Sequence, residues 1–402
     1  MFIVRPNVFL TKVRRHNDIP LYDWAITLLT ELKRKGKIFT AHYLGYGQFT
    51  LEQLEQNALE KNEDLFSNSG TTIVFCFDYT LEETRRNILQ EVEKNKNIKL
   101  LWVGAEKDPF DHPRIKNIFW PADMLLQNKE YKKFDNIEKE PSSKTHWIST
   151  SLGIRPHRVY MASLLMGLGL NKHGDLRIKT VSSSGKKSPL VSTALAAGNN
   201  NAPDKIPTLP MYVKDKWKLS TEIENVSPES NVGYQTLIER KWWGSSLFLY
   251  TDYLKLGWNQ NNNALNFDKN LRHLYKDKTL EVVNETSHTY DPVFVTEKFI
   301  NAVIGLNLVI MNGPAGTVKL LEDLGWNSCR HVVNHDYDDI TDPILRCEQA
   351  IRLNSKLFSD TAYCNDIWQE NITILKDNSE WAREHLYANI LKKCKDQVKE
   401  FA

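Results

Sequence analysis

The chain has 402 residues, too many for one ordinary core, and this length predicts two domains of about 150–200 residues each. Its hydrophobic content of 41% and charged content of 25% are those of a soluble globular protein. A formal net charge of +2 excludes a global basic field of the kind that marks a nucleic-acid binder, while leaving room for local patches.

In chain order, the opening MFIVRPNVFLTKVRRHND breaks its apolar runs with Arg5, Lys12, Arg14 and Arg15, so it reads as neither signal peptide nor membrane anchor. Residues 21–34 carry apolar positions at helical spacing. Residues 71–79, TTIVFCFDY, form a continuous apolar run, as a parallel strand buried on both faces would. LEETRRNILQEVEKN predicts a helix, KLLWVGA a second buried strand ending at Glu106, and NIFWPAD a third. Strand, helix, strand implies right-handed βαβ units and a parallel sheet.

Residues 133–146 are polar and contain Pro-Ser-Ser, the best candidate for an interdomain linker. A second alternating series follows. HWISTSLG, LRIKTVSS, SLFLYTDY, LEVVNET and NLVIMNGP are strand-like, and RPHRVYMASLLMGLG, VTEKFINAVIGL and TVKLLEDLGW are helix-like. Residues 182–210 are rich in small residues, Pro and Gly, and read as a long loop. The last sixty or so residues are mostly helical in pattern. The expected boundaries are 1–140 for the first domain, 141–375 for the second and 376–402 for a C-terminal helix that packs back across both.

In open α/β sheets ligands sit beyond the carboxyl ends of the strands. That rule selects Asp78, Glu106, Arg155, Arg158, Asn284, Glu285 and the Glu297–Lys298 pair as site candidates. Thr296 is a plausible N-cap, which places Glu297 and Lys298 in the first turn of a helix. Free N–H groups and the positive dipole end at such a turn, joined by an ammonium, suit a phosphate. A carboxylate there suits ribose hydroxyls. The bland alternative is that Glu297 complements the dipole and Lys298 is a solvated charge. Arg155 and Arg158 lie three apart between a strand and a helix, and guanidinium groups suit bidentate phosphate recognition. Glu106 is the leading candidate for a general base, with Asp78 and Asp111 as rivals. Asp336-Tyr337-Asp338-Asp339 is assigned to turn and N-cap duty ahead of metal binding. The five cysteines are scattered and contain no CxxC, which fits reduced thiols and no zinc site. No P-loop, GxGxxG, GxSxG or HExxH motif is present.

Taken together, residues 285–314, ETSHTYDPVFVTEKFINAVIGLNLVIMNGP, resemble the nucleotide-binding block of the α1,3-fucosyltransferase family. Glu285 stands for the block's leading Glu, Thr296-Glu297-Lys298 match its Thr-Glu-Lys, and Gly313-Pro314 close the following strand. Arg158 with VYMASLLMGLG looks like the family's strand–Arg–helix element, and LWVGAEKDP like its strand ending in a Glu close before Pro. RPHRVY and LEDLGW are similar to soluble viral and bacterial members. The chain departs from the family in a loop about two residues longer between Glu285 and Glu297. Thr286 stands in place of an Asn, and Asp-Pro-Val-Phe-Val precedes Thr-Glu-Lys.

The resemblance implies a GT-B fold, two Rossmann-like domains with a cleft between them. It also implies an inverting, metal-independent transfer from a nucleoside-diphosphate sugar, GDP-fucose-like or another, to a glycan hydroxyl. No cofactor or metal is implied, and no membrane span. Arg158 and Lys298 would neutralise the diphosphate, Glu297 would take the ribose, Glu285 would contact the sugar or position the loop, and Glu106 would be the base. The expected location is the cytoplasm, the host's if the chain is viral. Two other readings stand beside this one. One is a transferase acting on hydroxylated bases in DNA, with SSSGKKSPL, Arg14/Arg15 and Lys132/Lys133 as phosphate contacts. The other is a non-catalytic nucleotide-sugar-binding scaffold.

Overall fold

The computed structural model describes residues 39–44, 70–76, 82–94, 96, 98–125, 131–132, 137–151, 156–178, 227–239, 272–286, 288 and 292–401. Asp78 and Arg155 lie outside the described residues, as do the helix expected over 21–34, the loop 182–210 and the strand SLFLYTDY.

The first half builds a sheet from β1 (Phe39–Leu44), β2 (Gly70–Cys76), β3 (Ile98–Gly104) and β4 (Ile115–Phe119). All neighbours are parallel, in the order β1-β2-β3-β4, and α1 (Glu82–Lys94) connects β2 to β3. The second half adds β5 (Trp147–Ser151), α2 (Pro156–Gly167), β6 (Gly174–Ile178), α3 (Pro228–Glu239), β7 (Leu280–Asn284), α4 (Glu297–Ile304) and β8 (Leu308–Asn312). Its sheet is also all parallel, in the order β6-β5-β7-β8. Every residue of β7 and β8 is buried, which is why both read as near-continuous apolar runs.

Side chains alternate across the second sheet and divide the core in two. Trp147, Leu280, Val282, Leu308 and Ile310 face α2 and the helices that follow the sheet. Ile148, Val283, Val309 and Met311 face α4. The α4-side cluster continues into Leu101 and Val103 of β3 and Ile118 of β4, so the two sheets share one apolar core.

Residues 137–146 have no regular structure but are fastened along their length. The Lys139 ammonium group donates to the carbonyls of Tyr275 and Lys278 and to Asn307 Oδ1, at 2.8, 2.5 and 2.7 Å. The amides of Glu140 and Ser142 donate to the carbonyls of Lys276 and Asp277. Polarity marked this stretch as a linker. The structure makes it a strap docked on the turn before β7.

Helix α3 had no counterpart in the sequence reading. It crosses α2 with the backbones in direct contact. A Cβ added at Gly233 would fall 1.7 Å from the Ser163 carbonyl oxygen, and one at Gly167 would fall 1.7 Å from that of Glu229. Gly233 at the crossing, among the polar residues of PESNVGYQTLIE, leaves α3 without the apolar stripe that periodicity detects. Its start was legible in principle: Ser227 Oγ accepts from the Ser230 amide, and Pro228 follows at the first helical position.

After β8 come α5 (Thr317–Asp323), α6 (Pro343–Arg352), α7 (Thr361–Glu370), α8 (Ile372–Glu380), a π-helical turn over Trp381–His385 and α9 (Leu386–Phe401). The turn anchors on the second half, where Trp381 Nε1 donates to the Leu324 carbonyl at 3.1 Å and the ring meets Phe299 edge-on. Helix α9 then reaches the first sheet, with Tyr387 against Trp120 and Cys394 Sγ donating to the Phe119 carbonyl. Among the described residues no helix is long and apolar enough to cross a membrane. Cys329, Cys347, Cys364 and Cys394 are buried free thiols.

Candidate functional site

The strand order makes a switch point between β5 and β7. The chain leaves β5 for β6 on one side and returns to β7 on the other, so α2 and α4 depart from neighbouring strands. Strands β5 and β7 pair only at Trp147–Leu280 and Ile148–Glu281, then part toward their carboxyl ends. Polar side chains bridge the opening. Asn284 Nδ2 donates to Ser149 Oγ at 2.7 Å, and Asn312 Nδ2 donates to Asn284 Oδ1 at 2.6 Å. Asn284 is therefore placed inside this buried ladder, beneath the edge where a ligand would lie.

The segment after β7 closes on itself through Glu285. Its carboxylate accepts from the Thr296 amide at 3.1 Å and from Thr296 Oγ1 at 2.7 Å. Burial pushes the Glu285 carboxyl above its usual range, against the nearby Lys298 charge and the two Thr296 hydrogen bonds. Of the two roles the sequence left open for Glu285, loop positioning is the one these bonds perform.

Two side chains of α2 hold the same corner from below. Arg158 donates through one terminal nitrogen to the carbonyls of Asn284 and Glu285, at 3.3 and 3.0 Å. His157 Nε2 donates to the Glu285 carbonyl at 2.8 Å, and its ring stacks on His288, 4.9 Å between centroids and 7° from coplanar. Arg346 of α6 ties the neighbouring loops together. It donates to the carbonyls of Gly313, Ile340, Thr341 and His288. Neither His157, His288 nor Arg346 was singled out from sequence. The arginine sits in DPILRCEQ, where spacing gives no sign that its guanidinium will be buried.

Thr296 occupies the N-cap position of α4 with extended backbone, as expected, but its hydroxyl does not cap the helix. It donates to Glu285 and accepts from Lys298 Nζ at 2.9 Å. Carboxylates cap three of the helices that follow. Asp338 accepts from the amides of Val318 and Lys319 at the start of α5, and Asp342 and Asp360 do the same for α6 and α7. Asp338 thus performs the capping duty assigned to the Asp336–Asp339 run. At α4 the first turn instead presents Glu297 and Lys298, each partly buried and paired at 3.3 Å.

From the first sheet, Glu106 follows β3 and meets this segment directly. Its backbone forms an antiparallel bridge with Phe294, and the Lys107 amide donates to the Val293 carbonyl at 2.9 Å. Loops leaving the carboxyl ends of both sheets therefore touch two residues before Thr296. The Glu106 side chain is 1% exposed, and its Oε1 pairs with Arg85 of α1 at 3.2 Å. Asp111, the rival base, is exposed on the β3–β4 loop, beside a His112 that pairs with Glu93. Arg85 was passed over because EETRRN resembles a solvated helix face.

The structure thus brings Glu106, Arg158, Asn284, Glu285, Thr296, Glu297 and Lys298 to one region. Among the described residues no cluster of three or more His, Cys, Asp or Glu side chains is arranged to hold a metal ion. Comparison with protein-family models, with curated proteins and with solved structures gave no match.

Proposed function

We propose that this chain is an inverting glycosyltransferase of GT-B type, taking its sugar from a nucleoside diphosphate bound at the start of α4. Residues 1–140 form the acceptor side and 141–375 the donor side, with 376–402 returning across both. One observation carries the reading. The Glu106 loop of the first sheet pairs with the segment entering α4, so the loop that carries a carboxylate from one sheet meets the segment leading into an ammonium-bearing helix start of the other.

The chemistry follows from that juxtaposition. Glu106 takes the proton of the acceptor hydroxyl, whose oxygen attacks the anomeric carbon from the face opposite the diphosphate. The carbon–oxygen bond to the diphosphate breaks, and the leaving oxygen keeps the electron pair. Lys298 and the first-turn amides of α4 stabilise that developing charge, a role that needs no metal. Glu297 accepts from ribose hydroxyls. Arg158 and Glu285 act through the corner they build, and the Arg158 charge adds to that of Lys298 in neutralising the diphosphate. The acceptor is a glycan or similar hydroxyl.

The test is thermal shift and donor hydrolysis across a panel of nucleoside-diphosphate sugars, with and without EDTA. One donor should stabilise the protein and turn over slowly regardless of chelator. Glu106→Gln should then bind that donor unchanged and transfer about 10²-fold more slowly. Silence across the panel removes the transferase reading. Full transfer by Glu106→Gln moves the base elsewhere, Asp111 being next.

A further inference from the structure

Glu106 is a carboxylate in an unusual position for a base. It is 1% exposed, and burial alone favours the protonated acid, which cannot accept a proton from an acceptor hydroxyl. The sheet places a cation against it. Helix α1 leaves the carboxyl side of β2, the neighbour of β3, so its first turns run along the same edge that Glu106 occupies. Arg85 lies there, itself 11% exposed, with its guanidinium nitrogen 3.2 Å from Glu106 Oε1. The backbone of Glu106 is fixed independently by the Phe294 bridge and the Lys107–Val293 hydrogen bond. With the main chain clamped, the ion pair sets where the carboxylate points.

We propose that Arg85 is a positioning residue for Glu106, fixing the direction and the charge of its carboxylate at the seam between the two sheets. The inference rests on the assignment of Glu106 as the base. The other charged groups on the elements that meet here are Glu82, Glu83, Arg86, Glu91, Glu93 and Lys94 of α1, Lys99 of β3, Lys107, Asp108, Asp111, His112 and Arg114 of the loop, and Glu297 and Lys298 of α4. Many are engaged with one another: Lys107 with Asp108, Lys298 with Glu297, and Glu93 with His112 and Arg114. Arg85 stands in ion-pair contact with Glu106.

Arg85→Gln removes the charge and keeps much of the side-chain volume, and Arg85→Lys keeps the charge without the planar fork. Transfer is measured against pH in each, together with affinity for the nucleoside diphosphate. The Glu106 carboxyl is followed separately by carbon-13 NMR titration, assigned with Glu106→Gln. Loss of a contacting cation should raise the acid limb of the rate profile by about one pH unit or more in Arg85→Gln. Arg85→Lys should recover part of that shift, nucleotide affinity should not change, and the carboxyl titration should move in parallel. A merely structural arginine would lower transfer equally at every pH and leave the limb in place, and that result overturns the proposal. If the wild type transfers no sugar, the glycosyltransferase reading fails, and the titration still decides. A Glu106 carboxyl that titrates alike with and without Arg85 refutes its role. Should Arg85→Gln fail to fold, the Arg85→Lys titration carries the comparison.

Discussion

Glu281 sits in the middle of β7, and its replacement by Gln gives a quantitative check on the packing at the switch point. The carboxyl is buried, with Oε1 accepting from Tyr275 Oη at 3.1 Å and from Thr150 Oγ1 at 3.4 Å. Burial pushes it up from 4.5 to about 8, against those hydroxyls and the Lys139 charge. A carboxyl raised on folding holds its proton in the native state over the window where the unfolded chain has released it. Its contribution is therefore complete below pH 4.5 and falls as pH rises toward 8. Each pH unit in that window corresponds to about 1.4 kcal/mol. Between pH 5.5 and 8.5 the wild type should lose about 3 kcal/mol from this group alone. The amide of Glu281→Gln keeps an oxygen for the two hydroxyls and does not titrate. The buried Lys139 is coupled to this carboxyl, since burial lowers its pKa and Glu281 raises it, so the difference between the two proteins reads the pair. Urea denaturation of both proteins across this range should show Glu281→Gln gaining on the wild type by about 3 kcal/mol. Parallel stability curves would refute the burial argument.

Lys298→Ala should weaken nucleoside-diphosphate binding by about 1.5–3 kcal/mol, the scale of a lost charge-assisted contact. An unaltered dissociation constant in calorimetry removes the anion role. Thr296→Val deletes the hydroxyl between Glu285 and Lys298 while conserving shape, and should cost about 2 kcal/mol in denaturation. Most of that cost should vanish in a Glu285→Ala background, which removes the partner, and full additivity would contradict the coupling. Gly233→Ala forces a Cβ to within 1.7 Å of the Ser163 carbonyl oxygen unless α2 and α3 separate, so about 2–3 kcal/mol of stability should be lost. An unchanged melting temperature would mean that the helices do not cross as described.

What was legible in the sequence follows from what each residue does. β7 and β8 announced themselves because a parallel strand covered on both faces is apolar over most of its length. Glu106 and the Thr296–Lys298 turn were found by the rule that ligands gather at the carboxyl edges of such strands. The partners of these residues were hidden for a common reason: their work is done toward main-chain atoms or across long sequence separations. Arg158 and Arg346 spend their guanidinium groups on carbonyls, which any surrounding sequence can supply. Lys139 does the same from a stretch whose polarity marked it as a linker. Arg85 and Glu106 are a fixed pair only because β2 and β3 lie side by side, and no local pattern encodes that adjacency. Thr296 shows the distinction within one residue. Its position as N-cap was readable from the helix that follows, whereas the use of its hydroxyl was set by Glu285, eleven residues earlier, returning across the mouth of the sheet. That diversion leaves the first turn of α4 to Lys298 and Glu297, so the same contact that closes the loop also furnishes the charged helix start on which the proposed donor site rests.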